Sequence, residues 1–220
     1  MTSFSAHLEK LPLIAILRGL RPEEAVAVGH ALADAGFGLI EVPLNSPHPF
    51  ASIERLANAL GSAVLVGAGT VLDPADVRRI ADAGGGLVVS PHMDPQVIHA
   101  ARAAGLASVP GIATPTEALA AIAAGADALK LFPAEMMTPS VLKALKAVLP
   151  PDVPLLPVGG ISPDNMAAYV AAGAAGFGIG SALYKPGMTV EDIGAAARRF
   201  VSAFQGRLRR EAPLRGGGTS

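Results

Sequence analysis

The sequence predicts an α/β fold, a single-domain (β/α)8 TIM barrel, and three observations predict it. Short apolar segments of β type alternate with longer helix-like runs along nearly the whole chain. The segments are close to continuously apolar, as expected of parallel strands whose two faces are both covered. They number eight in a chain of 220 residues, and eight βα units of about 25 residues need about 200. That count favours a closed barrel over an open doubly wound sheet.

The predicted strands are Leu13–Leu17, Phe37–Val42, Ala63–Ala68, Leu87–Val89, Ala107–Val109, Ala128–Phe132, Pro154–Val158 and Gly176–Ile179. Helix starts are marked by a proline, mostly after a capping residue, at Arg21-Pro22, Asp73-Pro74, Asp94-Pro95, Thr114-Pro115, Thr138-Pro139 and Ser162-Pro163. Proline suits the first helical turn, and an Asp, Thr or Ser before it can accept from the free amides. Glycines at 36, 84, 105, 125 and 173, with Gly61 closing one more run, mark helix ends. Glycine enters the left-handed conformation that terminates a helix. A last helix is expected over roughly Val190–Phe204. The barrel domain is therefore 1–205, and the arginine- and glycine-rich residues 206–220 form a flexible tail.

Composition removes several classes of function. Apolar residues make up 51% and charged residues 16%, which excludes disorder for most of the chain. The net charge of -1 gives no basis for a nucleic-acid or anionic-membrane partner. With no cysteine, disulfides, thiolate catalysis and Cys-based metal sites are out. No His-Glu-x-x-His or clustered acidic ligand set supports a metal, and no cofactor is expected. There is no signal-like N-terminal segment and no unbroken apolar span, so a soluble cytoplasmic protein is expected.

In such barrels the chemistry sits at the C-terminal ends of the strands. The sixth predicted strand carries Lys130 on the face shared with Ala128 and Phe132, with Leu129 and Leu131 on the other. A buried ammonium is costly unless it is paired or loses its proton. The second strand places Glu41 on the inward face with Leu39, where burial would raise its pKa towards neutrality. The two could also be a structural ion pair. Arg18, just beyond the first strand, has the planar donor fork that suits a carboxylate or phosphate, and Thr70 ends the small-residue turn Gly67-Ala68-Gly69-Thr70. Val158-Gly159-Gly160 and Gly178-Ile179-Gly180-Ser181 are glycine-rich turns after the seventh and eighth strands. Backbone amides there, beside a helix start at Ser162-Pro163, form the usual phosphate cradle of this barrel class. His48 and His92 fall in loops at the same mouth, whereas His7, His30 and His99 read as surface or packing residues.

These stretches resemble the class I aldolases of 2-keto-3-deoxy-6-phospho sugar acids, the KDPG/KDPGal aldolases. The resemblance rests on Leu13-Ile14-Ala15-Ile16-Leu17-Arg18-Gly19, Ile40-Glu41-Val42-Pro43-Leu44-Asn45-Ser46-Pro47, Gly67-Ala68-Gly69-Thr70-Val71, Leu129-Lys130-Leu131-Phe132-Pro133 and Val158-Gly159-Gly160-Ile161, in that order from about residue 8 to 205. It implies a Schiff base at Lys130, proton shuttling by Glu41, substrate contacts from Arg18 and Thr70, and phosphate at Gly160, Gly180 and Ser181, with Val158 and Gly159 adjoining. It also implies a phosphorylated keto sugar acid and pyruvate as ligands, and a homotrimer. Asn45-Ser46-Pro47 and Val158 resemble the galactonate branch, since gluconate enzymes typically have Arg-Thr-Pro and a threonine before the double glycine.

The expected reaction is reversible cleavage of 2-dehydro-3-deoxy-6-phosphogalactonate to pyruvate and glyceraldehyde 3-phosphate. Its alternatives are the gluconate epimer or 4-hydroxy-2-oxoglutarate as substrate, a phosphate-binding barrel isomerase, and a non-catalytic phospho-ligand binder.

Overall fold

The structure, a computed structural model, describes residues 4–211. The elements run α1 (Phe4–Lys10), β1 (Leu13–Ile16), α2 (Pro22–Asp34), β2 (Leu39–Pro43), α3 (Pro49–Leu60), β3 (Leu65–Gly69), α4 (Ala75–Asp82), β4 (Leu87–Val89) and α5 (Pro95–Ala103). They continue with β5 (Ala107–Val109), β6 (Gly111–Ile112), α6 (Pro115–Ala124), β7 (Leu129–Leu131), α7 (Pro139–Lys146), β8 (Leu155–Pro157), α8 (Met166–Ala171), β9 (Phe177–Ile179) and α9 (Val190–Glu211). All strand pairings are parallel, in one sheet ordered β5-β4-β3-β2-β1-β9 and a second ordered β6-β7-β8. The sheets curl, and a parallel bridge from Val158 to Gly178 links the end of β8 to β9.

The continuous apolarity of the strands has a direct cause in packing. Ile14, Leu39, Leu87, Val89, Val109, Ala128 and Leu156 form an inner cluster, joined by Phe4 of α1. Their strand neighbours, among them Leu13, Ala15, Ile40, Val42, Leu129, Leu131 and Leu155, belong to an outer cluster shared with the helices. Alternate residues of each strand thus enter two different cores, so both faces are mostly apolar. Each fully buried Leu or Ile contributes about 1.5–3 kcal/mol by leaving water. α9 shows the matching helical pattern: Ile193, Ala197, Phe200 and Phe204 lie at a spacing of four or three and are buried.

Most of the expected punctuation is present. Pro22, Pro95, Pro115 and Pro139 stand at helix N-termini. Thr114 and Glu117 form a reciprocal capping box, with the Glu117 amide donating to Thr114 Oγ1 at 3.2 Å and the Thr114 amide donating to Glu117 Oε2 at 2.9 Å. The six glycines expected to end helices all have positive φ.

Four expectations are corrected. The N-terminal helix α1 was not anticipated; its Phe4 closes the inner core, and His7 packs beside Gly38. Strand pairing resumes after Pro110 as β6, a segment outside the strands the sequence predicts. α8 begins at Met166, three residues beyond Pro163, because residues 163–165 form a turn in which Asn165 Oδ1 accepts from the Ser162 amide at 3.0 Å. The last helix runs on to Glu211, past its expected end near Phe204; residues 212–220 of the expected tail lie outside the described residues.

Candidate active site

β7 carries Lys130 between Leu129 and Leu131, which both face the helices, so strand alternation turns Lys130 to the inner side. It is 5% exposed, with Nζ 4.7 Å from the Phe132 ring centroid. Glu41 on β2 also points inward and is 2% exposed. Lys130 and Glu41 line one small space in the inner core, with Ile14, Val89 and Leu156 among its walls. They are not an ion pair at contact distance: among the described residues, the salt bridges involve only surface groups of Arg21, Arg78 and Arg79.

Burial dominates the titration of both groups. Desolvation pushes the Glu41 carboxyl up to about 7, opposed by the attraction of Lys130 and then of Arg18. The Lys130 ammonium is pushed down, first by desolvation and also by the repulsion of Arg18, while Glu41 holds it up. Among the described residues, Glu41 Oε2 has no hydrogen-bond partner. A buried oxygen without a partner is uncommon and fits a group that exchanges protons with a bound molecule. Gly69 makes room for it, because a methyl at this position would overlap the Glu41 carboxylate.

Above the pair lies a cavity of about 310 Å³ at the C-terminal ends of β7, β8, β9 and β1. Of the residues singled out in the sequence, Lys130, Arg18, Val158, Gly159, Gly160, Gly180 and Ser181 all line it. Glu41 lies beneath. Thr70 reaches the site through Arg18, whose Nη2 donates to Thr70 Oγ1 at 3.4 Å. Thr70 has φ +55, a conformation that β-branched residues avoid and that is found where a site demands it.

Gly159 and Gly160 have φ +107 and +60, which turn the chain sharply after β8. Asn165 Nδ2 donates to the Gly160 carbonyl at 2.8 Å while its Oδ1 accepts from Ser162, so one amide side chain holds the turn at both ends. After β9, the Gly180 carbonyl accepts from the amides of Leu183 and Tyr184, which makes a single turn beginning at Ser181. Among the described residues, no acceptor takes the amides of Gly160, Ile161, Gly180 or Ser181 in these turns. Unpaired amides converging on one cavity suit an anion.

Several further groups belong to the site. Asn45 Oδ1 accepts from Arg18 Nη1 at 2.7 Å, and Ser46 Oγ accepts from the Gly19 amide at 2.9 Å. These bonds tie the end of β2 to the end of β1. The signal was present in Asn45-Ser46-Pro47, which was read only as a mark of the substrate branch. Glu135, in the segment after Phe132-Pro133 where the chain departs from the family it resembles, also lines the cavity, as do Tyr184 and Lys185, which no motif marks. His92 and His48 do not line it; His48 borders a separate shallow pocket with Phe50 and Arg79.

A buried lysine whose ammonium is pushed down by desolvation opens onto an amide-lined cavity at the C-terminal ends of parallel strands, the place where α/β enzymes of this architecture carry their sites. The comparisons with known proteins narrow the class. The family model "Aldolase: KDPG and KHG aldolase" matches residues 4–197, and the chain belongs to that family. It is 53% identical over 193 residues to a probable 2-dehydro-3-deoxy-6-phosphogalactonate aldolase of Rhizobium meliloti (strain 1021), covering 88% of this chain and 91% of the relative. It is 48% identical over 196 residues to the 2-dehydro-3-deoxy-6-phosphogalactonate aldolase of Escherichia coli (strain K12), covering 89% and 96%. A solved structure described as native KDPGal superposes with a TM-score of 0.90 at 48% identity, over 91% of this chain and 97% of the other.

Proposed function

We propose that the protein is a class I aldolase that reversibly cleaves 2-dehydro-3-deoxy-6-phosphogalactonate to pyruvate and glyceraldehyde 3-phosphate. The observation that carries this reading is Lys130, buried, desolvated and open to the amide-lined cavity, with Glu41 inside the same core. The identities to relatives named for this substrate support the galactonate branch.

The neutral Lys130 amine attacks the C2 ketone to give a carbinolamine, which loses water to form an iminium. Ionised Glu41 takes the proton of the C4 hydroxyl, directly or through a water. The C3–C4 bond then breaks, its electrons pass into the iminium, and glyceraldehyde 3-phosphate leaves. Protonation of the enamine at C3 and hydrolysis release pyruvate and restore the amine. The iminium is the electron sink throughout. A Glu41 pKa of about 7 lets one carboxyl take and return a proton near neutral pH.

Arg18, aligned by Asn45 and Thr70, holds the carboxylate end of the substrate, and the amides of Gly160, Gly180 and Ser181 hold its phosphate. Val158 and Gly159 form the wall between. The two sheets are sections of one closed barrel of eight strands: the bridge from Val158 to Gly178 spans one seam, and the run from β5 through Pro110 into β6 spans the other. A homotrimer and a cytoplasmic location accompany this reading; no described helix is long and apolar enough to cross a membrane.

Incubation with pyruvate and borohydride, followed by peptide mapping, tests the chemistry. A reduced adduct on Lys130 is expected, and its absence ends the aldolase reading. Relative rates on the two C4 epimers test the branch, and a strong gluconate preference overturns it.

A further inference from the structure

The turn after β7 brings an acidic side chain onto the amide cradle. The Ala134 amide donates to the Val158 carbonyl at 2.8 Å, and the Ala134 carbonyl accepts from Tyr169 Oη at 2.8 Å. Fastened on both sides, Ala134 directs the next residue, Glu135, across the Gly159-Gly160 turn. A methyl built on Gly160 would lie 2.8 Å from Glu135 Cγ and 3.3 Å from Oε1, and one on Gly159 would overlap Oε2. The carboxylate therefore lies against the two glycines of the anion site. It forms no hydrogen bond or ion pair with another described residue, and Glu135 itself is exposed. Met136 beyond it is 73% exposed, so the side chain has open solvent into which it can swing.

A carboxylate at this point and a phosphoryl group in the cradle are like charges crowding the same space beside the two glycines. We propose that Glu135 is a built-in competitor for the cradle: it lies over Gly159-Gly160 in the free enzyme, and the phosphoryl end of a substrate must displace it to bind. Glu135 thereby sets how much affinity the phosphate contributes, while the steps at Lys130 proceed without it. The proposal rests on the reading of the cradle as the phosphate site.

The test compares the wild type with Glu135→Gln and Glu135→Ala. Inorganic phosphate is used as a competitive inhibitor, and KM is measured for the phosphorylated substrate and for the same keto sugar acid without its phosphate. Removing one like charge at close range in a water-exposed mouth should lower the inhibition constant of phosphate and the KM of the phosphorylated substrate about five-fold. The KM of the unphosphorylated compound and the rate of pyruvate trapping on Lys130 should stay within about two-fold.

Unchanged or raised phosphate inhibition constants in both variants overturn the proposal, as does an equal fall in KM for the unphosphorylated compound. If phosphate fails to inhibit even the wild type, the cradle and the proposal fall together. Inhibition of the wild type that both substitutions leave unchanged removes the proposal alone. The aldolase reading stands or falls separately, on the adduct at Lys130.

Discussion

Replacing Glu41 by Gln removes one ionisable group from the inner core and should abolish a particular slope in the stability of the fold. Glu41 is 2% exposed, and burial carries its carboxyl from 4.5 to about 7 against the pull of Lys130 and Arg18. A carboxyl with a raised native pKa binds its proton more tightly when folded. Its neutral form costs nothing below about pH 4.5, where both states are protonated. Stability then falls as the pH rises towards 7 and levels off above it. The displacement corresponds to about 3 kcal/mol.

Lys130 contributes with the opposite sign, since its native pKa is lowered and its cost fades as the pH rises. In the Gln variant Lys130 loses the charge that holds it up, so its pKa falls further and its cost fades earlier as the pH rises, which moves the difference in the same direction. Urea unfolding of both proteins between about pH 4.5 and 8 is the assay. The difference should move by about 3 kcal/mol in favour of the variant across this window, or about 6–12 °C in Tm for a chain of this size. A difference constant to within about 1 kcal/mol would refute the argument that burial controls this carboxyl.

Other expectations follow from the same geometry. Glu41→Gln should lower turnover by about 10²–10⁴-fold, the usual loss for a general base, yet still allow pyruvate trapping on Lys130; unchanged turnover removes Glu41 from the reaction. In the wild type, kcat/KM should rise with pH through an inflection near the Glu41 value of about 7, because the ionised form is the base; a flat profile from pH 5.5 to 8 contradicts this. Gly69→Ala drives a methyl into the Glu41 carboxylate and should cost about 1–3 kcal/mol of stability as well as turnover, measured by denaturation and initial rates. Gly160→Ala meets both φ +60 and the Glu135 side chain. It should cost about 1–2 kcal/mol and raise KM for the phosphorylated substrate, with pyruvate trapping on Lys130 as the unaffected control.

Much of the architecture was legible because local rules coincided with global ones. Prolines at 22, 95, 115 and 139 and glycines at 36, 84, 105, 125 and 173 act within a few residues of themselves, so their meaning survives without a fold. The inward aim of Lys130 and Glu41 followed from a period of two within single strands. Where neighbours decide, local pattern is not enough. β6 after Pro110 is held by pairing with β7, and the start of α8 was displaced by the Asn165 side chain bonding back to Ser162 and Gly160. Phe4 earned a helix by filling the inner core, a vacancy that no local pattern describes.

The sequence by itself determined the parallel α/β class, the lysine and carboxylate, and the glycine turns, because each is written in spacing along one stretch of chain. Only the tertiary structure decided that Arg18 is held by Asn45 and Thr70, and that Glu41 and Lys130 share a core without touching. It alone placed Glu135 over Gly159 and Gly160. Those are relations between residues 24 to 89 positions apart in the chain. They come from the ends of different strands meeting at one mouth, and no periodicity along the chain can record them.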